Sequence, residues 1–257
     1  MPLTVPAHQL LVIPLVRGRR SPLPGAALLL GTALPDLAFC IGGYRLNVVS
    51  HLVWGPPLMS ATLGLLLYAW LEALFLPALA GALPAEGRWP LARVCVTRGV
   101  PTSWRGWLGA FAALTVGAYS HWIFDGFTHD WMWPARVLYP DVVVRLGPLG
   151  AMGLAHALQI GCSLVASVVV LVWAWRVLQR AAPLDVPAAP SERHGLGALA
   201  AGAAFGALAG LIVGLLVCGW PATTRQLVLV LMSPVPVGAF AGVTVAAWRL
   251  RAPAVPA

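Results

Sequence analysis

Apolar positions dominate this chain in long runs, and short clusters of Pro, Gly and Arg separate one run from the next. Six runs, near residues 24–42, 57–80, 106–127, 149–176, 197–218 and 226–248, are each long enough to cross a bilayer about 30 Å thick as a helix rising ~1.5 Å per residue. The run from Val5 to Val16 is too short to do so and predicts a half-inserted or interfacial helix. The expected fold is therefore all-α, a polytopic membrane helical bundle of about six transmembrane helices with a short N-terminal half-inserted helix. Within it, residues 1–180 read as a four-span bundle, 181–195 as a cytoplasmic linker rich in Pro and Ala, and 196–257 as a two-span Gly/Ala-rich packing unit.

Composition supports a membrane protein, because 60% hydrophobic and 9% charged residues with a mean hydropathy of +0.84 do not describe a soluble surface. The net charge of +8 comes from arginine alone. Without a polar domain in which basic and aromatic residues interleave, it points to no nucleic-acid partner. It sets orientation instead. With six alternating spans, one side collects Arg17, Arg19, Arg20, Arg88, Arg93, Arg98, Arg105, Arg176, Arg180, Arg193, Arg249 and Arg251, and the other holds Arg45, Arg136, Arg145 and Arg225. The positive side faces the cytoplasm, so both termini are expected there, in a multi-pass protein of a bacterial plasma membrane. Five or seven spans would scramble that separation. The first arginines follow the first apolar run instead of preceding it, which argues against a cleaved signal peptide. Cys40, Cys95, Cys162 and Cys218 are far apart and form no CxxC pair, so they read as packing residues.

Polar residues inside the spans carry the candidate chemistry. His121, Asp125 and His129 stand one helical turn apart and share a face. An ionisable group at such depth costs on the order of 2.5–3.5 kcal/mol to insert, which makes it a functional candidate. Counted at ~1.5 Å per residue, Asp36, His121 and His156 come out at similar depth, about 15–25 Å from the cytoplasmic boundary. His51 lies at the outer start of the second span, Gln159 beside His156, and His8 reaches a comparable level if its helix rises from Arg17. Neutral imidazole and carboxylate are the ligands of zinc and related divalent ions, and His8, Asp36, His51, His121, Asp125, His129 and His156 exceed the three that a catalytic site needs. The surplus suits a second ion or the orientation of ligands.

Other polar residues have plainer readings. His194 is expected to be solvated in the linker, and Glu72 to snorkel toward the cytoplasmic interface. Arg136 and Arg145 fit lipid-surface anchors, with an anionic head group as the alternative. Trp122, Trp131 and Trp133 read as an interfacial belt, with a substrate groove as the alternative. Gly202, Gly206, Gly210 and Gly214 repeat every fourth residue and make a flat face for helix packing or for self-association as a homo-oligomer.

The ordered motifs Gly31-Thr32-Ala33-Leu34-Pro35-Asp36, Ser50-His51, Gly117 to His129 and His156 to Ser163, with the opening Pro2 to His8, resemble a bacterial membrane family designated domain of unknown function 4184. The Pro-Asp, Ser-His and His-x-x-x-Asp elements are also remotely similar to membrane-bound metal-dependent hydrolases and to helical zinc-dependent phospholipases C. That similarity implies His8, Asp36, His51, His121 and Asp125 as ligands, with His129 or His156 as a further candidate. Leu52 follows His51 where those relatives often carry a small hydroxyl residue.

The leading expectation is a zinc or other divalent-metal hydrolase acting on an ester or phosphoester near the outer leaflet, with Asp36, His121 and Asp125 as catalytic residues. Membrane lipids are the expected surroundings, and a lipid or lipid-linked molecule the expected substrate. Two rivals use the same residues differently. One is a proton or ion pathway in a transporter-like protein, and the other is a structural partner working through the glycine face.

Overall fold

The computed structural model describes residues 5–17, 23–82, 99–145, 147, 150–180, 195–218, 223, 226–227 and 231–250. Most of the expected linker and the arginines at 19, 20, 88, 93, 98, 193, 225 and 251 lie outside these residues. The described chain is overwhelmingly helical: α1 is Val5–His8, α2 Ile13–Arg17, α3 Gly25–Gly31, α4 Leu34–Ser50, α5 Pro56–Ala82, α6 Trp104–Thr128 and α7 Ala135–Leu138. Then follow β1 Val143–Arg145, β2 Ala151–Gly153, α8 Leu154–Arg180, α9 Gly195–Cys218 and α10 Pro234–Leu250.

Three of these helices, Pro56–Ala82, Leu154–Arg180 and Gly195–Val217, are long and apolar enough to cross a membrane, and α10 is a shorter apolar helix. Helix α6 has 25 residues, a length of about 37 Å. Ser120, His121 and Asp125 dilute its apolar character, which keeps it out of that set.

The expected span 24–42 is not one helix. It breaks at Thr32 and Ala33, because a continuous helix would drive the Pro35 ring into the carbonyl one turn back. Pro35 instead occupies the first turn of α4, where its missing N–H costs nothing. The break leaves Asp36 in that same first turn and the Thr32 carbonyl available to another helix.

The chain forms two compact units. The first comprises Met1–Leu37, Asn47–Leu65 and Ser103–Ala174. At its centre α3 crosses α6 so closely that a Cβ on Gly31 would meet the Leu114 backbone, and one on Gly117 the Leu28 carbonyl. Ala27, Leu28, Ala110, Ala113, Leu114 and Ala118 fill that contact. Ser103 starts α6 by accepting the Gly106 N–H at 3.2 Å. Beyond α6, β1 and β2 pair antiparallel, Val143 with Gly153 and Arg145 with Ala151. Gly147 and Gly150 take positive φ values of 59° and 91° between them.

The second unit comprises Ala38–Leu46, Leu66–Thr102 and Trp175–Ala257. Here Gly202, Gly206 and Gly210 of α9 pack against Gly242, Gly238 and Pro234 of α10, with the Gly206 Cα position open only because no side chain intervenes. The glycine face thus serves packing within one chain. Ala78, Ala82, Leu199, Ala246 and Ala247 form the adjoining core, and Trp70 Nε1 donates to Thr244 Oγ1 at 3.1 Å. Glu72, expected at the interface, is buried within a π-helical stretch of α5, Leu71–Phe75.

Candidate metal centre

All the residues that build the centre belong to the first unit. Helix α6 supplies His121 and Asp125 from consecutive turns and His129 from just past its end. The broken α3–α4 segment supplies Asp36, the turn after α4 supplies His51, and α1 supplies His8 from its last position. Buried Ala7, Val12 and Ile13 hold that N-terminal segment down. Two further bonds fix the turn after α4 to α6: Trp122 Nε1 donates to the His51 carbonyl at 2.7 Å and the Tyr119 hydroxyl to the Val53 carbonyl at 3.0 Å.

Asp125 is the hub. Its Oδ2 lies 3.1 Å from His121 Nε2 and 3.2 Å from His51 Nε2, and its Oδ1 lies 3.7 Å from His8 Nε2 and 3.5 Å from His129 Nδ1. His121 Nε2 is also 3.8 Å from Asp36 Oδ1. The His8 ring stacks on His121 with centroids 3.8 Å apart and meets Phe124 edge-on. His121 is fully buried and His8, His51 and Asp125 nearly so, whereas the side chains of Asp36 and His129 are 13% and 21% exposed. The centre is therefore least enclosed at Asp36 and His129.

Proton positions follow from the partners. His121 Nδ1 lies 2.8 Å from the Thr32 carbonyl and His51 Nδ1 lies 2.7 Å from the Asn47 carbonyl. A carbonyl only accepts, so both Nδ1 atoms carry hydrogens, and in a neutral ring each Nε2 then presents a lone pair. These lone pairs face a carboxylate, which when ionised also only accepts. Acceptor against acceptor is a stable arrangement only with a proton or a cation between them. Ligand atoms held tetrahedrally at ~2.0–2.1 Å from zinc are about 3.3 Å apart, and the separations at Asp125 and Asp36 bracket that value. Two triplets, His8 with His121 and Asp125, and Asp36 with His51 and His121, each bring their ligand atoms within 4.8 Å of one another. His8 Nδ1 has no hydrogen-bond partner among the described residues. The donor set fits a divalent ion with nitrogen and oxygen ligands.

Supporting groups surround these residues. The Ser50 hydroxyl contacts the Pro35 carbonyl, the Asn47 carbonyl and His51 Nδ1 at 2.9, 2.7 and 3.0 Å, tying α4 to the imidazole it precedes. Gln159 of α8 reaches His129 Nε2 at 3.0 Å. With its amide nitrogen donating, the neutral His129 ring keeps its proton on Nδ1, toward Asp125. Burial holds the His129 imidazole below its usual pKa against the pull of Asp125. His156, one turn earlier on α8, is exposed and belongs to neither triplet. Ser50 and Gln159 were not among the residues singled out as ligands, although each lies beside one that was.

A cavity of about 550 Å³ adjoins the centre, lined by Trp131, Arg136 and residues of the hairpin. Three long apolar helices and a buried imidazole–carboxylate cluster together suggest a class, a helical membrane protein with a candidate metal site. The chain belongs to the family described as Domain of unknown function (DUF4184), whose model matches residues 1–248. No curated protein and no solved structure matches it.

Proposed function

We propose that this protein is an integral membrane hydrolase that uses a divalent metal, zinc by preference, to cleave an ester or phosphoester of a lipid or lipid-linked substrate. The observation that carries the reading is the meeting of His121 Nε2 and His51 Nε2 at one Asp125 oxygen, with both Nδ1 hydrogens committed to backbone carbonyls. His8, Asp36, His51, His121 and Asp125 would hold the ion, and His129 would orient Asp125. When bound, the ion would supply Lewis-acid chemistry for polarising the scissile group and lowering the pKa of water. Asp36, the more accessible carboxylate, would serve either as a ligand or, released from the ion, as the group that accepts a proton from water. Thr32, Asn47 and Ser50 keep the imidazoles in the tautomer that ligation requires. Six spans with cytoplasmic termini belong to the same proposal, and they put the least enclosed side of the centre at the outer leaflet of a bacterial plasma membrane.

Elemental analysis of the purified protein tests this reading. Wild type should retain a stoichiometric divalent ion, and His121→Ala and Asp125→Ala should lose it. A metal-free wild type would end the hydrolase reading. The short His–Asp contacts also suit a bound proton, which favours a second reading, a proton or ion pathway. Ion flux in proteoliposomes that is abolished by Asp125→Asn, in a protein holding no metal, would select it.

A further inference from the structure

Trp131 is a wall shared by the metal centre and the adjoining cavity. Its indole lines the cavity and meets the His51 and His129 rings edge-on, with centroids 6.1 and 5.9 Å away. Three charged side chains, Asp130, Arg136 and Asp141, line the same space together with Tyr139, whose hydroxyl donates to the Phe127 carbonyl and so anchors the ring. Among the described residues none of the three is engaged in an ion pair. All three are exposed, so a ligand that enters the cavity can reach them.

The volume is that of a small-molecule site. Its lining carries both signs of charge. The two carboxylates disfavour a plain anion, and a plain cation, although drawn by the net negative lining, leaves the guanidinium unmatched. A ligand bearing both signs satisfies all three groups. Aromatic faces within about 6 Å attract an ammonium, and a guanidinium pairs with phosphate through parallel N–H donors. We propose that this cavity binds a zwitterionic aminoalkyl phosphate, the head group of an ethanolamine or choline phospholipid. The ammonium lies by Asp130, Asp141 and the two rings, and the phosphate lies on Arg136. This deepens the hydrolase reading by naming the substrate's head group, and it rests on that reading for turnover but not for binding.

The test uses the full chain in nanodiscs of phosphatidylglycerol, so that the host lipid does not compete. Phosphoethanolamine, phosphocholine, inorganic phosphate, ethanolamine and dihexanoyl phosphatidylethanolamine are titrated calorimetrically. The two zwitterions should bind saturably and about tenfold or more tighter than phosphate or ethanolamine alone, and the short-chain lipid at least as tightly as free phosphoethanolamine. Arg136→Gln should bring the zwitterions down to the affinity of ethanolamine, and Asp130→Asn with Asp141→Asn down to that of phosphate. Equal binding of a half-ligand, or variants with wild-type affinity, would overturn the proposal. His121→Ala should lose metal yet keep head-group binding. A metal-free wild type that still binds the zwitterions would therefore sink the hydrolase reading alone, and a metal-loaded one that does not would sink the head-group site alone.

Discussion

Helix α6 and the α9–α10 pair use the same device, glycine at a close backbone crossing, for opposite ends. Gly117 of α6 lets α3 come close enough for the Thr32 carbonyl to reach His121, so the crossing holds a polar centre. Gly202, Gly206 and Gly210 bring α10 equally near, but what meets there is backbone and methyl groups, with no ionisable side chain in the contact. In the first unit close approach supplies hydrogen-bond partners that buried imidazoles need. In the second it supplies only dispersion and shape. Loss of a side chain should therefore be felt as chemistry in one unit and as stability in the other.

The largest effect should come from the hub. Asp125→Ala removes the group that four imidazoles approach, and bound metal should fall by more than the roughly 10–100-fold that loss of an outer hydrogen-bond partner costs. Gly117→Val should damage both metal content and thermal stability, since its side chain would push against the Leu28 carbonyl and displace Thr32. A protein that melts normally and keeps its metal after this change would show that the crossing does not position His121.

Gly206→Leu belongs to the other unit. It should lower stability by about 1–3 kcal/mol or more through overpacking against Gly238. The folded fraction should keep its full metal content, and metal lost in step with this substitution would erase the contrast. Ser50→Ala and Gln159→Ala should each weaken metal affinity by roughly 10-fold, measured by competition with a chelator, because they hold ligands or orienters without touching an ion. His156→Ala should leave metal content unchanged, as its exposed position predicts.

Depth counted along the apolar runs puts Asp36, His121, His156 and His8 at one level, and helical spacing puts Asp125 and His129 beside His121; of these, all but His156 meet in the structure. Which way a side chain faces depends on rotation about the helix axis, which depth does not give. His156 and Gln159 are three residues apart, about 60° round the helix axis, and only Gln159 reaches His129. The break at Thr32 was signalled by Pro35, yet the apolar run hid it. The hairpin was signalled by the β-branched run Val142-Val143-Val144 with Gly147 and Gly150 beyond it. Its content of only two three-residue strands leaves the helical character of the chain intact. Distance along α5 predicts Glu72 at the interface, whereas the packing that buries it is tertiary and has no trace in a linear pattern.

X-ray absorption at the edge of the metal retained by the purified full chain addresses the centre most directly. The account predicts nitrogen and oxygen neighbours at about 2.0–2.1 Å with the multiple-scattering signature of imidazole and no sulfur shell, all lost in Asp125→Ala. An absent ion in wild type, or a spectrum dominated by sulfur, would contradict it.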